Sequence, residues 1–140
     1  MLKASARHWS AWQIGRRHYR VTLADAIEAH RQALVYGGGR AGISNIDNLA
    51  GVLGRPYHGY HRGMDRKAAA LLHGVATSHG FVDANRRSAW LVTFVLIGRS
   101  GYVLDLAEAD RIDDVVVDVV EGVMSEAELV DWFRARLVRS

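Results

Sequence analysis

Apolar positions recur at helical spacing through most of the chain, and polar caps mark where the runs begin. Thr22-Leu-Ala-Asp25 has the form of a capping box with Asp in the place of Glu or Gln. Leu23, Ile27 and Leu34, with Ala26 and Ala33, then predict an amphipathic helix that stops at the glycines 37–39. Asn45 or Ser44 can cap a short helix through Ile46, Leu49 and Leu53, ended by Gly54. Residues 54–63 hold glycine, proline and aromatics without helical period, the composition of a loop or hairpin. An alanine- and leucine-rich stretch from Met64 to about Thr77 predicts a buried helix. After a break at 78–83, a second apolar helix runs from about Ala84 to Ile97. Tyr102-Val-Leu104 reads as a brief strand, and a further helix starting at Asp105 or Asp110 turns Ile112, Val115, Val116 and Val119 inward. The valines at 115–120 also suit a strand, because β-branched residues favour one. Ser125-Glu-Ala-Glu128 is a capping box for a last helix carrying Leu129, Trp132, Phe133 and Leu137 on one face. The expected fold class is mostly α.

At 140 residues, with one proline, no repeat and no low-complexity run, the chain is expected to form one domain: an N-terminal extension over 1–20 and a domain proper over 21–140. The longest apolar stretches are too short to span a bilayer, and the start lacks the apolar run of a signal peptide. No cysteine is present, which removes disulfides, thiol nucleophiles and thiolate metal sites together. A cytoplasmic protein without membrane association is expected. The net charge of +3 is mild. Basic residues gather at Arg7, Arg16, Arg17 and Arg20 without aromatic interleaving or a DNA-binding motif, the pattern of a solvated basic end rather than a nucleic-acid surface.

The break between the two apolar helices reads His79-Gly-Phe-Val-Asp83-Ala-Asn85-Arg86-Arg87. It leads into a helix N-terminus, where unpaired N–H groups and the helix dipole favour an anion. Arg87 adds a guanidinium suited to phosphate, and Asp83 is a hard oxygen ligand of the kind magnesium takes. His79 can take a proton from an attacking alcohol near neutral pH. Asn85 can hold the loop or donate to a phosphate oxygen, and Phe81 would anchor the loop in the core. His58 and His61, near Tyr57 and Tyr60, lack acidic partners at ligand spacing, so no metal site is expected there. His30 and His73 lie within expected helices, as packing or surface residues.

The pattern His-x-Phe-x-Asp-x-Asn-x-Arg, filled by His79, Phe81, Asp83, Asn85 and Arg87, resembles the defining motif of the Fic/Doc family, most closely its Doc-like, death-on-curing branch. Tyr36-Gly37-Gly38 with Ile43 and Leu49 before the motif, and Gly101-Tyr102-Val103 after it, extend the resemblance over roughly residues 22–137. It implies a Fic/Doc helical fold with a short β-hairpin flap, placed at about 55–62 and bringing Tyr57 and Tyr60 to the target chain. It also implies His79 as general base for a hydroxyl of a target protein, Asp83 for Mg2+, and Asn85, Arg86 and Arg87 for the phosphates of ATP.

AMP-transferring Fic enzymes typically carry glycine at the position of Arg86 and a second arginine at that of Trp90. Doc toxins carry lysine at the first and lack the second arginine. Arg86 therefore points to a Doc-like toxin that transfers a phosphoryl group, with AMP transfer or an inactive binding module as the alternatives. The same resemblance implies a translation component such as elongation factor Tu as target. Val117 stands where an inhibitory Fic helix would carry Ser or Thr before Glu121-Gly122, so restraint is expected from a separate antitoxin.

Overall fold

The computed structural model describes residues 18–59 and 61–140; Arg7, Arg16, Arg17 and the flap candidate Tyr60 lie outside the described residues. Along the described chain run α1 (Leu23–Gly37), α2 (Ile46–Gly54), a 3-10 turn (Arg55–Tyr57), α3 (Met64–Ser78), α4 (Asn85–Arg99), β1 (Tyr102–Leu104), α5 (Ile112–Val120), α6 (Glu126–Arg134) and β2 (Leu137–Arg139). This is the expected mostly α architecture.

α3 is the axis of the core. Ala68, Ala69, Ala70, Leu71 and Leu72 have no exposed surface, and α2, α4, α5 and α6 all pack on this helix. A run of small side chains lets neighbouring backbones approach from several sides, and Leu49, Val92, Leu96, Leu129 and Phe133 fill the space between them. α1 packs on α4 through Ala26, Ala29, His30 and Ala33. The expected stripe is thus rotated: Ile27 is 45% exposed, because the close α1–α4 contact selects alanines rather than the longer side chains.

The caps explain most boundaries. Thr22 and Asp25 form the reciprocal box of α1, Asn45 accepts from the Asn48 N–H at the start of α2, and Ser125 with Glu128 closes the box of α6. The valine run is helical in α5, since Val115, Val116 and Val119 fall on one buried face at helical spacing. Neither Asp105 nor Asp110 caps that helix; its N-cap is Arg111. Asp110 instead accepts the Ala107 N–H and pairs through both oxygens with the Arg136 guanidinium, at 2.7 and 2.9 Å.

That ion pair also corrects the last helix, which was expected to reach Leu137. Arg136 donates to the Trp132 carbonyl, the helix ends at Arg134, and Leu137–Arg139 pairs antiparallel with β1, Leu104 facing Leu137. The two ends of the domain's second half are thereby joined.

Among the described residues of 55–62 no hairpin ladder forms. Buried Pro56 opens the 3-10 turn, and Tyr57 is turned inward: its hydroxyl accepts from the Val21 N–H and donates to the Tyr19 carbonyl, both at 2.7 Å. Tyr57 therefore fastens the entry to α1, with the Arg20 guanidinium 4.6 Å above its ring.

Beside it, Lys67 is almost fully buried and donates to His18 Nδ1 at 2.9 Å, which requires a neutral imidazole. Burial, aided by the charges of Lys67 and Arg139, pushes His18 down to about 4 from an ordinary 6.5. A histidine whose folded value lies below its unfolded one favours folding above the unfolded value and loses that contribution as pH falls. An NMR titration should therefore show the His18 imidazole protonating near pH 4, with stability declining from pH 6.5 toward 4; a midpoint at 6.5 would contradict this packing.

Candidate active site

The loop between α3 and α4 is bracketed by two non-glycine residues in the left-handed region, His79 (φ 55°) and Ala84 (φ 61°). The first ends α3 and turns the chain sharply, leaving His79 exposed while Gly80 and Phe81, the next two residues, are buried. The second starts α4 without offering a side-chain acceptor, so the first-turn N–H groups of α4 carry no side-chain cap.

Four contacts hold the loop in this shape. Asn85 Oδ1 accepts from the Phe81 N–H while its Nδ2 donates to the Phe81 carbonyl, each at 3.0 Å. Phe81, 2% exposed, stacks in parallel on the His30 ring of α1 with centroids 4.1 Å apart. His30 Nε2 lies 3.1 Å from the Asp83 carbonyl and donates to it. Finally, Phe81 forms an antiparallel bridge with Ile43, in which Gly42 accepts from Val82 and Gly80 accepts from Ser44 and Asn45.

Asp83 faces outward, each carboxylate oxygen accepting one backbone N–H: Oδ2 from Arg40 at 3.1 Å and Oδ1 from Ala84 at 2.9 Å. Those N–H groups of Arg40 and Ala84, with the charges of Arg40 and Arg87, hold the carboxyl below the usual carboxylate range. Gly39 (φ 118°) makes the approach possible, since a Cβ there would lie 2.9 Å from Asp83 Oδ2. One ionised carboxylate beside an anion site suits magnesium, which binds through one or two carboxylates plus substrate phosphates and water. Among the described residues no group of three or more His, Asp or Glu forms a protein-only metal cage.

A cleft of about 640 Å³ opens over this loop. His79, Asp83, Asn85, Arg86 and Arg87 all line it, so the structure brings the motif's polar residues together on one side. Phe81 stays beneath as the anchor, and Tyr57 is not among the lining residues. Arg86 is exposed and has no hydrogen bond or ion pair among the described residues. Arg87 instead reaches back to α1, donating to the Ala33 carbonyl and, at 2.8 Å, to the Gly38 carbonyl.

The apolar lining of the cleft escaped the sequence reading. It includes Val116, Val117 and Val120 of α5 and Trp90 and Leu91 of α4, and Asp113 of α5 also lines the cleft. Tyr36, 79% exposed, stands at the rim. The outward valines, 117 and 120, were the available signal, because they interrupt the polar face of an amphipathic helix.

The result is a cleft lined by both polar and apolar groups: a helix N-terminus, a guanidinium that no described residue engages, an ionised carboxylate, an exposed imidazole and hydrocarbon side chains. Those are the groups that anion binding and proton transfer require, gathered in a helical domain. The chain belongs to the Fic/DOC family, whose model matches residues 20–97. It is also similar to Toxin Doc of Mycolicibacterium smegmatis, 34% identical over 98 residues that cover 69% of this chain and 60% of the relative. The chain thus spans less than two thirds of the length of that relative.

The paired Asn85 bonds generate a stability prediction. Asn85→Ala leaves a buried loop N–H and C=O without partners and should cost about 1–3 kcal/mol in urea unfolding. Asn85→Asp, which keeps the acceptor and loses the donor, should fall between; an Asn85→Ala protein as stable as the wild type would show that the clamp does not hold the loop.

Proposed function

We propose that the protein is a Doc-like toxin of a toxin–antitoxin pair, acting in the cytoplasm as a transferase that moves the γ-phosphoryl group of ATP onto a hydroxyl of a target protein. The observation that carries the reading is the placement of an exposed His79 imidazole at the mouth of the cleft that also holds the uncapped start of α4 and Arg86. The match to Toxin Doc supports the toxin and, with it, a separate antitoxin as partner. A translation component such as elongation factor Tu is the target class that the family resemblance suggests.

In this reading the target hydroxyl loses its proton to His79 as its oxygen attacks the γ-phosphorus; a new P–O bond forms, the bond to the β-γ bridging oxygen breaks, and ADP leaves. The N–H groups of α4 and the Arg86 guanidinium would offset the charge gathering on the transferred group. Asp83 would hold Mg2+, which neutralises phosphate charge when bound. Asn85 keeps the loop in register. The Trp90 ring, 9% exposed and lying 4.7 Å from Phe94, occupies the place at which AMP-transferring relatives carry a second arginine. An apolar ring there and a bulky cation at Arg86 favour binding with the γ-phosphate at the base rather than the α-phosphate.

The test uses ATP labelled at either the α- or the γ-phosphate, a bacterial lysate and a His79→Ala control. Label is expected on a protein from the γ position alone and should fall by at least about a hundredfold in the variant, the usual size of general-base catalysis. Transfer from the α position alone would establish AMP transfer instead. Equal labelling by wild type and variant would remove His79 from the chemistry.

A further inference from the structure

The two adjacent arginines of the motif sit in different surroundings, and the difference divides their work. The Arg87 fork is engaged by the protein itself, Nη1 donating to Ala33 O and Nη2 to Gly38 O. Both carbonyls belong to the end of α1, where unpaired carbonyls and the helix dipole concentrate negative charge. α1 has no basic residue in its own last turn, so a guanidinium from α4 supplies the cation that α1 lacks.

Gly37 is the partner of this contact. It does not have the positive φ of Gly38, Gly39 and Gly42, so its backbone shape does not require glycine. Space does: a Cβ at Gly37 would lie 2.5 Å from Arg87 Cζ and 3.0 Å from Nε. The missing side chain lets the guanidinium lie flat across the last turn of α1. Arg86, one residue earlier, is exposed on the cleft and engaged by no described residue.

We propose that Arg87 is a positioning residue, a cationic cap seated on Gly37 that locks α1 to the start of α4, and that phosphate capture in the cleft falls to Arg86. The proposal rests on the reading of the cleft as a nucleotide site. It follows that Ala33 and Tyr36, which line the cleft from α1, keep their distance from the motif loop through Arg87. Replacing Arg87 would disturb cleft geometry first and anion affinity second.

Four variants separate the roles: Arg87→Ala, Gly37→Ala, the double variant, and Arg86→Ala. Nucleotide-free melting should drop by about 3–6 °C in Arg87→Ala and Gly37→Ala, for loss of one partly buried contact. The double variant should melt no lower than the worse single one, because both remove the same contact. Arg86→Ala should melt like wild type yet bind Mg·ATP about tenfold more weakly, as expected for a lost charge-assisted phosphate contact. In Arg87→Ala, kcat for transfer should fall while the Kd for Mg·ATP stays within about twofold, since a positioning residue acts on geometry rather than on bound charge.

An Arg87→Ala protein that melts like wild type while losing Mg·ATP as strongly as Arg86→Ala would overturn the proposal. So would additive melting losses in the double variant. Wild-type protein that binds Mg·ATP but transfers nothing would refute the phosphoryl-transfer function and leave this division standing on melting and binding. Wild-type protein that binds no Mg·ATP would refute the role given to Arg86, with melting still deciding that of Arg87.

Discussion

The site depends on holding two ordinary L-residues in a backbone conformation they disfavour. His79 and Ala84 lie at φ 55° and 61°, and each costs on the order of 1–2 kcal/mol relative to a right-handed conformation. Such strain persists only where the surroundings over-determine it. Here they do so from three directions: Asn85 grips both backbone groups of Phe81, His30 lies flat on the Phe81 ring, and Ile43 bridges the same residue from outside. The first turn puts an imidazole into solvent at the cleft while Gly80 and Phe81, which follow it, are buried. The second begins α4 on an alanine, without the side-chain cap that would occupy its N–H groups.

α1 is therefore part of the site although it carries none of the motif. Through His30 it supports the loop from beneath, and through the Ala33 and Gly38 carbonyls it engages Arg87. The glycine-rich segment that follows supplies the Arg40 N–H to Asp83. A motif contiguous in sequence is thus held by residues 43 to 54 positions away, as the separations of those contacts record. The small residues of α1 matter for the same reason: Ala26, Ala29 and Ala33 bring its backbone near enough to α4 for the guanidinium to reach across.

What could be read in the sequence was local. The capping residues Thr22, Asn45 and Ser125 were legible because a hydroxyl or amide at an N-cap bonds an amide two or three residues on, a relation contained in the sequence itself. The polar content of the motif was legible because its residue types are rare in combination. Relations between distant segments were not. Arg136 paired with Asp110 ends a helix that periodicity alone would carry on to Leu137, and the partner lies 26 residues away. Tyr57 was expected at a target chain because the family resemblance placed a flap there; its hydroxyl is instead fixed by the backbone of residues 19 and 21. Ile27 was expected inside by its hydrophobicity, but the close helix contact had room only for alanine.

The apolar wall completes the chemistry that the motif begins. A phosphate cradle alone would suit any anion, and water would compete at every donor. Val116, Val117 and Val120 line the same cleft as the motif's polar residues, together with Trp90 and Leu91. In the proposed reading a nucleotide matches this division, its polyanion against the polar groups and the flat face of its base against the apolar ones. Lowering the local dielectric also strengthens the attraction between a phosphoryl group and the charges opposite it. Arg86 stands on the polar side of that boundary and the Trp90 ring on the apolar side, one helical turn apart on α4. In the proposed reading, how far a bound polyanion advances before it meets the tryptophan would decide which phosphorus atom His79 meets.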